Sequence, residues 1–69
     1  MNDELRAATK AAEDAAREYR EALDEQQLAQ LACDDNWVST STARLLRAWS
    51  TLVATTSALR RLEAHSARQ

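Results

Sequence analysis

Glycine and proline are both missing from these 69 residues, as are phenylalanine and isoleucine. Without glycine the chain has no residue that enters left-handed conformations freely, and without proline none that pre-sets a turn. A fold built on tight β-hairpins is therefore very hard to write with this alphabet. A glycine-rich phosphate loop is excluded outright. The single cysteine, Cys33, allows no intrachain disulfide, and together with the one histidine, His65, it cannot complete a zinc site. Long apolar runs are lacking too, and the opening Met1-Asn2-Asp3-Glu4 has neither the basic nor the apolar part of a signal peptide. No membrane span is predicted, and the cytoplasm is the expected compartment.

The residues that are present favour helix. Ala, Leu, Glu, Arg and Gln dominate, the residues that a helix orders at least entropic cost. Large apolar side chains are few: nine Leu, Val38, Val53, Trp37, Trp49, Tyr19 and Met1. Alanine supplies much of the rest of the apolar count and removes little surface from water. One small domain, residues 1–69, is expected, and alone it would be marginal. The charge is unevenly placed. Residues 1–35 carry ten acidic and four basic side chains, whereas residues 36–69 carry five Arg against Glu63. Two antiparallel helices of opposite sign attract each other, and that is the simplest use of the pattern.

The first helix is predicted over about residues 3–33, capped by Asn2 or Asp3. Leu5, Ala8, Ala12, Ala16, Tyr19 and Leu23 fall on one narrow stripe, with Glu13–Arg17 and Arg20–Asp24 as i,i+4 pairs elsewhere on the surface. Leu28 and Leu31 lie well off that stripe. Either the helix restarts near Asp24, with Gln27 completing a capping box, or it continues and a second chain covers its end. The absence of Gly and Pro favours continuation.

A turn is predicted over 34–37 from Asp34-Asp35-Asn36, and Asp35, Asn36 or Ser39 can cap the second helix. That helix is expected over about 38–67. Val38, Thr42, Leu45, Trp49, Leu52, Thr56, Leu59, Glu63 and Ser66 repeat at alternating steps of four and three, a heptad seam. Leu46, Val53 and Leu62 widen it to an arc of roughly 140°, more than one neighbouring helix covers. The expected architecture is thus all-α, a two-helix antiparallel hairpin that dimerises into a four-helix bundle. Its dimer and core residues would be Tyr19, Leu23, Leu45, Trp49, Leu52 and Leu59. Thr56 interrupts the seam, either returning its hydroxyl to the Leu52 carbonyl or fixing helix register.

No catalytic or cofactor-binding residues emerge. Cys33 and His65 would lie at opposite ends of a hairpin, too far apart to act as a nucleophile and base. Asp34-Asp35-Asn36 lacks the ligand spacing of a calcium loop, whose twelfth position would here be Leu45. Arg47, Arg61, His65 and Arg68 share the face opposite the seam, with Arg44 at its edge and the small Thr51, Ala54 and Ala58 between them. That stripe suits solvent, an acidic protein surface or, least well, phosphates, since eleven acids elsewhere weaken any nucleic-acid footprint. Trp37 either packs on Leu31 to staple the turn or stands exposed as an interface anchor. Candidate partner-binding residues are therefore Leu28, Leu31, Trp37, Arg44, Arg47 and Arg61.

The length, the Asp34-Asp35-Asn36 turn, the Leu45/Trp49/Leu52/Leu59 seam and the lack of catalytic residues resemble small phage-encoded helical inhibitors of bacterial proteins, among them the phage anti-quorum-sensing family. That resemblance covers the whole chain and implies a non-enzymatic homodimer acting in the host cytoplasm. It further implies inhibition of a LasR-type transcriptional activator, and of the ATPase that drives pilus assembly. Type III secretion co-chaperones are hairpins of similar size, and they imply instead a structural subunit completed by a heterologous partner. The WXG secreted family also places a Trp at its turn, but Trp37-Val38-Ser39 lacks that family's glycine.

Overall fold

The computed structural model describes residues 3–67. Two helices, α1 (Asp3–Leu31) and α2 (Asp35–Ala67), run antiparallel and pack along their length into a rod of 53 × 14 × 12 Å. Helix α1 is continuous through Asp24, so the restart near that residue is ruled out. The candidate cap Asn2 and the stripe residue Arg68 lie outside the described residues.

The connection is shorter than the expected turn, because Asp35 and Asn36 already belong to α2. Its hydrogen bonds account for how a chain without glycine reverses. The Cys33 N–H donates to the Gln30 carbonyl at 3.1 Å, and the Asp34 N–H donates to the Ala29 carbonyl at 3.4 Å. This pair is the Schellman arrangement, with Cys33 in the left-handed position at φ 55° where glycine is usual. Asp34 then turns directly into the cap of α2, since its Oδ1 accepts from the Trp37 N–H at 3.1 Å. The cap is thus Asp34, rather than Asp35, Asn36 or Ser39. One residue closes one helix and opens the next.

A left-handed conformation costs a residue bearing a Cβ about 1–2 kcal/mol. Part of that is offset in a comparison with glycine, which loses more freedom on folding. Cys33→Gly is therefore expected to stabilise the hairpin by about 0.5–1 kcal/mol. Urea unfolding of the two proteins at equal concentration checks this, and a destabilised Cys33→Gly would contradict it.

The interior is unusual in what fills it. Ala15, Ala22 and Ala29 repeat every seven residues along α1 and are buried, facing Ser41 and Ala48 of α2. Among the described residues the largest wholly buried side chain is Ser41, whose hydroxyl donates to the Val38 carbonyl at 3.1 Å. Small side chains let two helix backbones approach closely. The inner line of α2 therefore runs through Ser41, Ala48, Thr55 and Leu62. That is one residue away from the seam expected through Thr42, Trp49 and Thr56. Trp49 is half exposed, at 51 %, so within one chain it flanks the helix contact and is not core. Tyr19, Leu23, Leu45, Leu52 and Leu59 are half-buried, on the flank as well. The Leu52 carbonyl accepts from Thr55 at 3.2 Å, whose hydroxyl also reaches the Thr51 carbonyl at 2.8 Å, and not from Thr56.

Candidate interaction surfaces

Neighbouring residues on a helix point about 100° apart, so the buried alanine line divides each helix into two flanks. Glu18 and Tyr19 leave α1 on opposite sides of Ala15 and Ala22. Arg44 and Leu45 likewise straddle Ser41 and Ala48. The hairpin consequently has two broad faces of opposite character.

On the first face the apolar side chains gather. Tyr19 meets Trp49 with ring centroids 5.5 Å apart and planes at 53°, a tilted aromatic pair. Gln26 crosses beside them, its Nε2 donating to Thr42 Oγ1 at 2.9 Å. Farther out lie Leu46, 64 % exposed, Trp49 and Val53. Trp49 and Val53, with Leu52, Thr56, Ser57 and Arg60, border a shallow groove along α2. Exposed apolar residues grouped in this way on one face mark an interaction surface more often than chance decoration.

The second face is ionic. The Arg44 guanidinium reaches across to α1 and donates from Nε to Glu18 at 2.8 Å and from Nη1 to Glu25 at 2.6 Å, with Glu21 at 3.8 Å. Trp37 joins the cluster, its indole N–H donating to Glu25 Oε2 at 3.0 Å. A planar guanidinium with several donors suits this sharing between carboxylates better than a lysine would. The attraction between an acidic and a basic helix is thus concentrated in one side chain. The expected pairs Glu13–Arg17 and Arg20–Asp24 do not form. Asp14 instead takes Lys10 at 3.2 Å and Arg17 at 3.8 Å.

Hydrogen bonding to Arg44 holds the Glu18 carboxyl below its ordinary value of 4.5. The Trp37 indole and then Arg44 do the same for Glu25. Their hydrogen bonds in turn raise the Arg44 guanidinium, which stays charged throughout. A carboxyl whose value is lowered by folding stabilises the folded state above the unfolded value. That contribution disappears as pH falls below about 4.5 and through the lowered folded values. Acid is therefore expected to loosen the hairpin over that window, and Arg44→Met to flatten the dependence. Thermal melts of both proteins between pH 7 and pH 3 read it out, and parallel pH profiles would count against the cluster.

The candidate partner-binding residues separate into three groups. Arg44 is committed to the three glutamates, which removes it from the free arginine stripe. Arg47 and Arg61 are exposed and, among the described residues, make no ion pair. Trp37 is half-buried and tied to Glu25, so it neither stands free nor staples Leu31, which is 81 % exposed. Leu28, 57 % exposed, and Leu31 form the second apolar patch, at the turn end of the hairpin. Between Glu21 and Ala43 there are five acidic residues and no Lys or Arg, so that end is distinctly negative.

No family model, curated protein or solved structure matches the chain. The surfaces are accordingly read from their own chemistry. Among the described residues there is no group of three or more potential metal ligands, and no helix is long and apolar enough to cross a membrane. Cys33 lies at the connection and His65 in the last turn of α2.

Sequence reasoning missed the innermost residues and the Arg44 cluster for identifiable reasons. Ala15, Ala22 and Ala29 carry a seven-residue spacing that was legible, but alanine is also the commonest filler of any helix. The interhelical reach of Arg44 depends on helix register, and register follows from the length of the connection. A search for small residues at heptad spacing on both predicted helices would have found the true line.

Proposed function

We propose that the chain is a non-enzymatic protein-binding module that works as a homodimer in the cytoplasm and inhibits or sequesters a larger bacterial protein by occupying one of its surfaces. One observation carries this reading. The interior holds Ala and Ser, whereas Leu28, Leu31, Leu46, Trp49 and Val53 stay exposed in the single chain. Large apolar side chains left on a rigid helical pair are presented at low entropic cost, which suits docking. The resemblance to phage-encoded inhibitors supplies the candidate targets, a LasR-type transcriptional activator and a pilus-assembly ATPase.

Two patches are available to a target. The turn end offers Leu28 and Leu31 in an acidic setting, and α2 offers Arg47 and Arg61. Affinity capture from a bacterial extract, followed by assay of the captured protein's own activity, tests the reading. Capture and inhibition should weaken at least tenfold with Leu28→Asp combined with Leu31→Asp, two exposed positions whose change leaves the helices intact. If capture is indifferent to that change and to Arg47→Ala, the chosen surfaces are wrong.

The same exposed leucines and Trp49 favour a second reading, a structural subunit or co-chaperone hairpin completed by a different protein. A purified chain that is unfolded alone and becomes helical only with that partner would select it.

A further inference from the structure

Leu28 and Leu31 sit one turn apart at the end of α1, both exposed. Asp24 precedes Leu28 by four residues and Leu31 by seven, and Glu21 precedes Leu28 by seven. Those spacings put all four side chains on one side of the helix. Asp34 and Asp35 follow at the connection. Asp24, Asp34 and Asp35 make no ion pair among the described residues. Glu18, Glu21 and Glu25 share the one Arg44 guanidinium, three carboxylates against a single cation, so negative charge is left over there as well. The last turn of α1 holds no basic residue, although a helix C-terminus itself carries negative partial charge. The exposed leucine pair therefore lies in a field of one sign.

We propose that this end of the hairpin binds a basic amphipathic helix of a partner protein, whose apolar side chains rest on Leu28 and Leu31 while its Lys and Arg reach Glu21, Asp24 and Asp35. This rests on the protein-binding reading above and adds to it the chemistry of the partner.

The surface discriminates between classes of occupant. A metal ion needs converging ligands, and among the described residues no three potential ligands come together. Nucleic acid and anionic lipid headgroups share the sign of the patch and are repelled. A neutral apolar segment covering the leucines would strip water from the neighbouring carboxylates and leave them unpaired, which is costly. Cations on the rim of the partner remove that cost and steer its approach. A helix fits better than an extended strand, because a helical pair offers no sheet edge to pair with, whereas side chains three residues apart match the anchors of a docking helix. Glu21 to Leu31 spans about 15 Å along the axis, so a basic helix of roughly ten residues covers the patch.

Two synthetic helical peptides with the same leucine stripe, one carrying lysine and the other glutamate at the remaining positions, test this against the isotopically labelled full chain. The lysine peptide should shift amide resonances around residues 21–37 and bind about tenfold tighter or more than the glutamate peptide. Raising the salt from about 0.05 M to about 0.5 M should weaken it severalfold. Asp24→Lys combined with Asp35→Asn should weaken it about tenfold, and so should Leu28→Ser combined with Leu31→Ser, with helicity checked by circular dichroism. Equal affinity for the two peptides would overturn the basic partner while leaving docking at the leucines in place. Failure of the lysine peptide to bind would overturn it too, and the capture experiment above then judges the protein-binding reading separately. Shifts confined to α2 beyond Arg44, or binding that survives both pairs of substitutions, would overturn the site. Resonances of Leu28 and Leu31 that move with protein concentration before peptide is added would give the patch to a second copy instead.

Discussion

Ala22→Leu is expected to destabilise the protein by about 1–3 kcal/mol, more than removing any exposed leucine. Ala22 is wholly buried between the two helices. Three added carbon atoms there either push the backbones apart or take a strained rotamer. Spreading the helices would also lengthen the Arg44 bridges to Glu18 and Glu25, so the effect propagates beyond the alanine line. In a domain of this size each kcal/mol shifts the melting midpoint by roughly 4–8 °C. Leu31→Ala, on the exposed turn end, should move it within about 0.5 kcal/mol. Melts at one fixed protein concentration separate the two, because the proposed dimerisation would make the midpoint concentration-dependent. Equal melting of Ala22→Leu and wild type would show that the helices are not packed through that residue.

Trp49→Ala should have its largest effect on association. The side chain is half exposed in one chain, and in the proposed homodimer, if it pairs through this face, one substitution removes it from both copies. Central aromatic anchors are typically worth about 2 kcal/mol or more each. Two of them correspond to roughly a thousandfold rise in the dimer dissociation constant. Within each hairpin only the Tyr19 ring contact is lost, about 0.5–1.5 kcal/mol, so helicity at high concentration should persist. A dilution series by sedimentation velocity gives the constant directly. A change below tenfold would move the interface away from Trp49.

These two substitutions also mark where sequence reading succeeds and where it stops. Helix was legible because composition and spacing both point to it: no Gly, no Pro, and periodic Leu through α2. Continuity of α1 past Asp24 followed from the same lack of a breaker. The turn near Asp34 was legible from its polar cluster, but its mechanism was not, since Cys33 is the residue that adopts the left-handed conformation. Nothing in the identity of a cysteine announces positive φ.

The innermost line was misplaced by one residue because hydrophobicity ranks Trp49 above Ala48. Size works the other way at a close helix contact. Where two backbones approach, Ala48 fits and Trp49 does not, so the indole is displaced to the flank that a second chain can cover. Arg44 shows the same limit for charge. From sequence it belonged to an arginine stripe, whereas α1 brings three glutamates to it from 19 to 26 positions away.

By itself, then, the amino-acid order determined the kind of element, its approximate extent and the place of reversal, because those depend on local conformational cost and on periodicity. The tertiary structure alone decided which face of each helix turns inward and which arginine is consumed in holding the pair together. Both depend on how far one backbone lies from the other, a distance set jointly by all the small side chains along the contact and encoded in no single position.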